Sequence, residues 1–592
     1  MKSFLKYTLA TIFGVFIALF LFSIVVLGTL GMMSSMMTSE KPVEVKDNSV
    51  LYYRLTAYVP ERTPAFPFIT GNPFSFDFEA VTGLNDILAN IRKARDDDRI
   101  RGIYIEGGAL SPGIGTIEEI RNALLDFRRS GKFVLFYCPD ILLQPAYYLA
   151  TAADTVYLNP AGTMQLTGLR SEVMFYRKAL EKLGIEVQVI KHGKFKSAVE
   201  PFIRDNMSEE NRQQIRVYMH AIWDHLLEGI ALRRGTTPAT LNHLADSLLV
   251  DSPKAAVEYG LIDGIRYKDE VLDELKERTG MEQDEQVSLI PMDKYTRVQL
   301  QKKKDKDAEK KIAVVYAYGD IVTGDGEEGS IGAKRFAAAL RKAREDSTVK
   351  AIVLRVNSPG GSALASDIIW REVELAHRTK PVVASMGTYA ASGGYYILAP
   401  ADKVVTLPVT LTGSIGVFAL IPNLGKLMND KLGITVDVEK TNRYADLGTI
   451  SRPLNPGEEA YLRKQIEATY ATFVDHVSEG RGLRASYVDS IGQGRVWSGI
   501  NAVELGLADT LGGLHDAIDL AAKMAGLDQY LIEEYPRQKD PFKEFIEELT
   551  GQARLRALPP EIREPYRLWE ELTAMKGKYL IETRLPFLPV IR

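Results

Sequence analysis

The sequence contains very little cysteine and lacks the motifs of several large enzyme classes. Cys138 is the only cysteine among 592 residues, so no intrachain disulfide can form, and its apolar surroundings in the sequence indicate a buried small side chain. The seven histidines are scattered without metal-ligand spacing. Neither a Walker loop nor a Gly-x-Gly-x-x-Gly motif occurs, and no basic stripe indicates nucleic-acid binding. We therefore expect no metal, no cofactor and no nucleic-acid partner.

Charge is absent from a long stretch near the N-terminus. After Lys2 and Lys6, no charged residue occurs before Glu40, and residues 9–30 are almost entirely apolar. This length can cross a bilayer as a helix, and the preceding lysines place its start in the cytoplasm. A cleaved signal peptide is the alternative, but the stretch exceeds the usual length of about 7–15 residues and no clear Ala-x-Ala site follows. We predict an uncleaved N-terminal transmembrane helix within residues 1–40.

The rest of the chain contains two copies of one unit. Arg92 matches Arg341 within similar segments, and residues 182–185 match residues 431–434, both at an offset of 249. Register kept over about 170 residues indicates a duplicated domain. In each copy, apolar β-branched runs alternate with helical patterns, which is typical of an α/β fold with a largely parallel sheet. We predict a first repeat at 45–298, a charged linker at 299–311, a second repeat at 312–527 and a C-terminal extension at 528–592.

Each copy retains a reactive side chain that the other has lost. The second copy has Ser392 beside two glycines at a strand-to-helix turn, where the first has Gln144; a helix N-cap is the alternative role for this serine. The first copy has Lys196, where the second has Ala445. A general base must be neutral near pH 7, well below the usual lysine pKa of about 10.4, and an ordinary exposed lysine is the alternative. Lys194 is a rival for the base. One composite site explains the complementary losses better than two separate sites.

Two further segments of the second copy suit the same site. Gly360 and Gly361 follow a strand, and their amides can approach an oxyanion without obstruction by a side chain; a tight turn is the alternative. Gly393 supplies an amide at a helix N-terminus. Ser414 has Leu169 as its counterpart in the first copy. Its hydroxyl can orient the lysine amine, and an ordinary turn serine is an equal alternative.

Together these motifs resemble the long, two-repeat form of bacterial signal peptide peptidase A. The resemblance covers roughly residues 45–525 and is carried by residues 194–198, 357–361, 390–396, 412–417 and 494–499. It implies an α/β fold of tandem Clp/crotonase-like domains, a serine–lysine dyad and a bowl-shaped homotetramer of membrane-anchored subunits. It also implies cleavage of signal peptides that remain in the membrane after preprotein processing.

The resemblance assigns a role to each candidate residue by position. Ser392 is the nucleophile, Lys196 the general base and Ser414 the hydrogen-bonding partner of the lysine, and the oxyanion donors are Gly361, Gly393 and Gly360. The catalytic domains then lie on the extracytoplasmic side of the bacterial inner membrane, where signal peptides and other apolar peptides are the substrates. Two other functions remain open on the residues alone: an acyl-CoA enzyme of the crotonase type, and a membrane-anchored scaffold without catalysis.

Overall fold

The structure is a computed structural model. It describes residues 43–64, 81–108, 112–282, 284–299, 309–538 and 582–584, and scattered positions between 6 and 24. Within this part of the chain, no helix is both long enough and apolar enough to cross a membrane. Most of the span predicted at residues 9–30, and most of the predicted linker, lie outside the described residues.

The first repeat is built on a six-stranded sheet. The strands in this part of the chain are β1 (Ser49–Arg54), β2 (Ile100–Glu106), β3 (Phe133–Cys138), β4 (Ile141–Leu142), β5 (Thr155–Leu158), β6 (Thr163–Met164), β7 (Glu186–His192), β8 (Gly264–Ile265) and β9 (Leu289–Pro291). The sheet has the order β8-β5-β3-β2-β1-β9, and all its strand pairs are parallel. Consecutive side chains such as Val134, Leu135 and Phe136 are fully buried, as expected for a parallel sheet covered on both faces.

The second repeat has a corresponding sheet. The remaining strands are β10 (Lys311–Tyr318), β11 (Ile321–Val322), β12 (Ile331–Gly332), β13 (Val349–Ser358), β14 (Gly360–Ser362), β15 (Val382–Ala391), β16 (Lys403–Thr406), β17 (Leu411–Gly413), β18 (Val417–Asn423), β19 (Val496–Ser498), β20 (Thr510–Leu511), β21 (Leu531–Tyr535) and β22 (Glu582–Arg584). The sheet has the order β19-β17-β15-β13-β10-β21; β16 also pairs with β15, and β20 pairs with β16. The tandem α/β architecture inferred from the repeat is confirmed.

Helices cover the sheets and follow the same duplication. They are α1 (Leu84–Arg95), α2 (Ile114–Arg128), α3 (Gln144–Ala150), α4 (Arg177–Leu183), α5 (Glu200–Ile203), α6 (Glu209–Arg234), α7 (Pro238–Asp246), α8 (Pro253–Glu258), α9 (Lys268–Thr279), α10 (Met292–Tyr295), α11 (Ala333–Glu345), α12 (Ala363–His377), α13 (Gly393–Leu398), α14 (Pro456–Arg481), α15 (Ala485–Ile491), α16 (Gly499–Glu504) and α17 (Leu514–Met524), with a π-helical turn at Leu427–Lys431. The long helices α6 and α14 both have 26 residues and occupy matching places in the two repeats.

A third sheet joins the repeats and positions the site. Its order is β12-β11-β14-β22-β18-β7. Strand β7 of the first repeat pairs antiparallel with β18 of the second over seven residues, from His192 opposite Val417 to Glu186 opposite Asn423. Because Lys196 follows β7 and Ser414 precedes β18, this pairing brings the two halves of the candidate site together. Side chains from both repeats also share one buried apolar core, including Ile117, Val314 and Leu514.

Candidate active site

Ser392 lies at a strained turn between β15 and α13. It occupies the N-cap position of α13, but its side chain makes no capping hydrogen bond. Its backbone has φ 55° and ψ −116°, a conformation that costs a non-glycine residue about 1–3 kcal/mol. The Ser392 N–H donates to the carbonyl of Gly413 at 2.8 Å, which fixes the turn against β17. The turn therefore presents the hydroxyl to the interior, as a nucleophile at a strand-to-helix elbow requires.

Lys196 reaches this hydroxyl from the first repeat. Its side chain is completely buried. The Nζ atom lies 2.8 Å from Ser392 Oγ, 3.0 Å from Ser414 Oγ and 3.1 Å from the Ser414 carbonyl oxygen. Burial away from water favours the neutral form of an amine, so this position suits a general base. Both residues belong to one chain, so the two repeats of a single subunit can bring Lys196 and Ser392 into contact.

The loop that carries Lys196 enters the second repeat through two glycines. The Phe195 N–H donates to the Gln493 carbonyl at 3.0 Å. A Cβ on Gly193, where φ is +97°, would lie 2.4 Å from the same oxygen. A Cβ on Gly494 would lie 2.7 Å from the Cα of Lys196. Neither position has room for a side chain, so both glycines allow the close approach of the loop.

Ser414 is the second residue whose oxygens contact the Lys196 amine. It is fully buried, its φ is 51°, and its N–H donates to the Arg495 carbonyl at 2.7 Å. Of the five non-glycine residues with positive φ in the described chain, Ser392, Ser414 and Gln493 belong to this site. Such strained backbone is concentrated at functional sites, which favours a role for Ser414 beyond that of a turn residue.

The candidate oxyanion donors differ in their surroundings. Gly360 and Gly361 form the short strand β14 rather than a turn alone. The Gly360 N–H already donates to Ser358 Oγ at 3.1 Å, so this amide is engaged within the loop. A Cβ on Gly361, where φ is +154°, would lie 2.1 Å from the Ile321 carbonyl oxygen. Gly393 is in the first turn of α13, where amides have no acceptor within the helix. Gly393 is therefore better placed to act as a donor than Gly360.

Lys194, the rival base, and the nearby His192 make other contacts. Lys194 is exposed, and its Nζ is 5.4 Å from the centre of the Phe195 ring. The His192 ring stacks on Tyr470 with centroids 3.9 Å apart. Among the described residues, no cluster of His, Cys, Asp or Glu could hold a metal ion.

In the first repeat, Gln144 occupies the position that corresponds to Ser392. Gln144 stands at the start of α3, and its Oε1 accepts from the N–H groups of Thr167 and Gly168 at 3.1 and 3.0 Å. Leu169 replaces Ser414 next to them. An amide that satisfies these backbone groups leaves no nucleophile, so the described chain has one complete candidate site.

Gln214 supports the lysine loop and was not identified from the sequence. It is buried near the start of α6. Its Nε2 donates to the Phe195 carbonyl at 3.1 Å and to Ser197 Oγ at 2.9 Å. Its Oε1 accepts from the Val496 N–H at 3.1 Å. One side chain thus binds both neighbours of Lys196 and also β19. A glutamine inside a helix carries no sequence signal for such a role.

A buried ionic cluster supports the segment that contains Gly360 and Gly361. It was not identified from the sequence. Arg355 Nε donates to Glu61 at 2.8 Å, and the same guanidinium is paired with Glu119 of the first repeat. Asn357 donates to Glu61 at 2.6 Å. Burial raises the pKa of Glu119; Arg355 opposes this rise and Glu61 adds to it. Arg355 and Asn357 lie near the end of β13, just before Gly360. The cluster therefore fixes the end of β13 that leads into Gly360 and Gly361.

Comparison with known proteins agrees with this arrangement. A family model described as peptidase family S49 matches residues 126–282 and 374–528, one segment in each repeat. Protease 4 of Salmonella typhi is 35% identical over 491 residues, covering 81% of this chain and 77% of that protein. Protease 4 of Haemophilus influenzae is 34% identical over 457 residues, covering 75% and 73%. The chloroplastic serine protease SPPA of Arabidopsis thaliana is 36% identical over 455 residues, covering 76% and 67%.

The duplicated α/β fold, its single candidate serine site in the described residues and these relatives identify the chain as a serine protease. The chain belongs to peptidase family S49, in the two-repeat form expected from the sequence.

Proposed function

We propose that Ser392 and Lys196 are the catalytic dyad of this protease. The observation that carries the proposal is the 2.8 Å contact between Lys196 Nζ and Ser392 Oγ, made in a fully buried position with Ser414 Oγ 3.0 Å from the same amine. Serine–lysine pairs are a known variant of the serine-protease arrangement, so no histidine is needed. Ser414 orients the amine so that its lone pair faces the nucleophile.

The proposed reaction has two steps. The neutral amine of Lys196 takes the proton of Ser392 Oγ while that oxygen bonds to the substrate carbonyl carbon. The amides of Gly361 and Gly393 stabilise the oxyanion. The lysine then returns the proton to the leaving amine as the C–N bond breaks, which leaves an acyl-enzyme. Water, deprotonated by the same lysine, releases the acid and restores the serine.

The dyad is tested with an apolar fluorogenic peptide. Ser392→Ala and Lys196→Ala should each lower kcat by about a thousandfold or more without loss of folding by circular dichroism, and a fluorophosphonate should label the wild type at Ser392. Lys194→Ala is the matched control, because this lysine is exposed two residues away, and it should keep wild-type kcat. Full activity of Lys196→Ala would refute the dyad.

The third sheet supports an extended binding mode for the substrate. Strand β22, at residues 582–584 of the chain itself, lies between β14 and β18 and pairs antiparallel with both. Gly361 is opposite Thr583 in this pairing. The position between the glycine strand and the strand that follows Ser414 therefore accepts an extended peptide through backbone hydrogen bonds, as in other cases of strand addition. We propose that substrates bind at this position.

The proposed substrates are signal peptides and other apolar peptides. The support is the resemblance in the motifs, together with the apolar stretch at residues 9–30, which as a membrane anchor would hold the site near such peptides. The proposed location is the extracytoplasmic face of the bacterial inner membrane, with subunits assembled as a homotetramer. Protease protection of the full chain in inverted membrane vesicles tests the location, and light scattering in detergent tests the assembly.

A further inference from the structure

Lys191 contacts the loop that carries the proposed base. It lies in β7 and is half-buried, and its Nζ donates to the Lys196 carbonyl at 3.2 Å. In the pairing of β7 with β18, Lys191 is directly opposite Phe418, so the two side chains share one face of the sheet. Lys196 Nζ lies 5.9 Å from the centre of the same Phe418 ring. Both lysine side chains therefore pack around one aromatic ring.

The Lys191 ammonium makes no ion pair within the described residues. Burial lowers the pKa of Lys191; Glu200 and Glu210 oppose this fall, and Arg204 adds to it. The Glu200 carboxylate accepts hydrogen bonds from Ser208 instead of contacting Lys191. Strand β18, on the other side, has no charged side chain. The other ionisable side chains on the neighbouring segments are His192, Lys194, Tyr470 and Arg495.

The second repeat has the same lysine paired with a carboxylate. At the offset of 249, Lys440 corresponds to Lys191 and Asp446 corresponds to Ser197. Lys440 Nζ donates to Asp446 Oδ1 at 2.9 Å. The copy that carries the base therefore keeps the cation but has a neutral serine in place of the carboxylate. A carboxylate directly after Lys196 would favour the charged form of the amine, whereas a nearby cation favours the neutral form.

We propose that Lys191 is a positioning residue for Lys196, because its ammonium holds the carbonyl of the base and its charge keeps the amine neutral. A neighbouring cationic group is one of the known means by which a lysine amine is activated. The neutral side chain of Ser197 preserves this effect. The inference rests on the dyad of the proposed function and supplies a reason why the amine is neutral when the reaction begins.

The pH dependence of kcat/KM for an apolar fluorogenic peptide tests the role of the charge. Activity rises with pH as Lys196 loses its proton, so the acid limb of the profile reports the pKa of this amine in the free enzyme. Lys191→Met removes the cation and should move the limb to higher pH by about one unit, the effect of a unit charge about 10 Å away at an effective dielectric constant of about 20. A purely structural role would lower activity at every pH and leave the limb in place.

Matched variants separate charge from packing. Lys191→Arg keeps the charge and the donor, so the acid limb should stay at its wild-type position. Lys194→Met is the control for loss of a nearby lysine; this side chain is exposed, and water weakens the effect of its charge. The limb should therefore not move in Lys194→Met.

A substitution after the base restores the carboxylate of the second repeat. Ser197→Asp should move the acid limb to higher pH, whereas Ser197→Asn, which has the same shape and no charge, should not. Ser197 is fully buried, so circular dichroism first establishes that both proteins are folded. The Lys191 variants give the decisive comparison where a Ser197 variant does not fold.

The rate at which a fluorophosphonate modifies Ser392 gives a second measurement over the same pH range, without peptide binding. It should show the same displacement in Lys191→Met as peptide hydrolysis does. An acid limb at the wild-type position in folded Lys191→Met would overturn the proposal, and so would an equal displacement in Lys191→Arg. Either result leaves the dyad standing when Lys196→Ala is inactive. Full activity of Lys196→Ala would instead refute the dyad itself.

Discussion

Gln214 is predicted to act as a positioning residue for Lys196, the proposed base. Its amide binds the Phe195 carbonyl and Ser197 Oγ on either side of Lys196, and its oxygen binds the Val496 N–H in β19. Strand β19 pairs with β17, where Val496 is opposite Gly413. One side chain therefore sets the distance between the lysine loop and the segment that begins at Ser414.

Two substitutions at Gln214 distinguish its role in positioning the lysine loop from its contribution to the stability of the fold. Gln214→Leu removes the partner of one buried donor, the Val496 N–H, and of three buried acceptors, the Phe195 carbonyl, Ser197 Oγ and Asn211 Oδ1. Each unsatisfied group costs about 1–3 kcal/mol, so this variant can lose much of the native stability. Gln214→Glu has the same shape and keeps an acceptor for Val496, and the Ser197 hydroxyl can donate to it. The Phe195 carbonyl and Asn211 Oδ1 then face an oxygen in place of a donor. A displacement of the loop by about 1 Å would lower kcat by up to about a hundredfold.

The assay follows the pH dependence of kcat and KM for peptide hydrolysis by Gln214→Glu. A buried carboxylate near the loop favours the charged form of the amine, so the acid limb of the kcat profile should move to higher pH, with part of the activity recovered there. KM should change little, because β14 and β18 are untouched. Gln188→Glu is the control, since Gln188 also joins the repeats, through the Leu454 N–H at 2.6 Å. A wild-type kcat profile in folded Gln214→Glu would refute the reasoning.

Three further predictions concern the site, the tail and acid stability. Ser414→Ala removes one partner of the amine but keeps the Ser414 carbonyl, so kcat should fall by about tenfold, equivalent to one hydrogen bond of about 1.4 kcal/mol; an unchanged kcat would make Ser414 a turn residue only. Deletion of residues 582–592 removes β22 from between β14 and β18, so KM for a short peptide should fall severalfold, and an unchanged KM would show that the tail does not compete. Burial, with Arg92 nearby, lowers the pKa of His515 from 6.5 to about 4; the neutral form is favoured in the folded protein, so the free energy of unfolding should fall by at most about 3 kcal/mol as pH decreases through this range. Urea denaturation of wild type and His515→Asn measures that loss, and equal pH dependence in both proteins would contradict it.

Local chemistry explains why several features were predictable from the sequence. A serine before two glycines at the end of an apolar strand predicts a turn, because backbone conformation there depends on adjacent residues. The structure has this turn at Ser392, between β15 and α13. The alternation of apolar strands and helices also repeats at a nearly constant offset, and both sheets follow it.

The choice of Lys196 over Lys194 was only a preference on the sequence, since both lie in one short polar segment. The fold places one side chain in the interior and the other in solvent, because Gly193 and Gly494 let the loop enter the second repeat at one register. The role of Gln214, and the ionic cluster of Arg355 with Glu61 and Glu119, depend equally on segments distant in sequence.

The sequence by itself determined that the domain is duplicated and that the serine and the lysine survive in different copies. Only the tertiary structure decided that they meet within one chain, through 196 residues of separation. The physical reason is that a turn depends on its neighbours in sequence, whereas the contact depends on β7 pairing with β18, and that register is set by the packing of both repeats into one core.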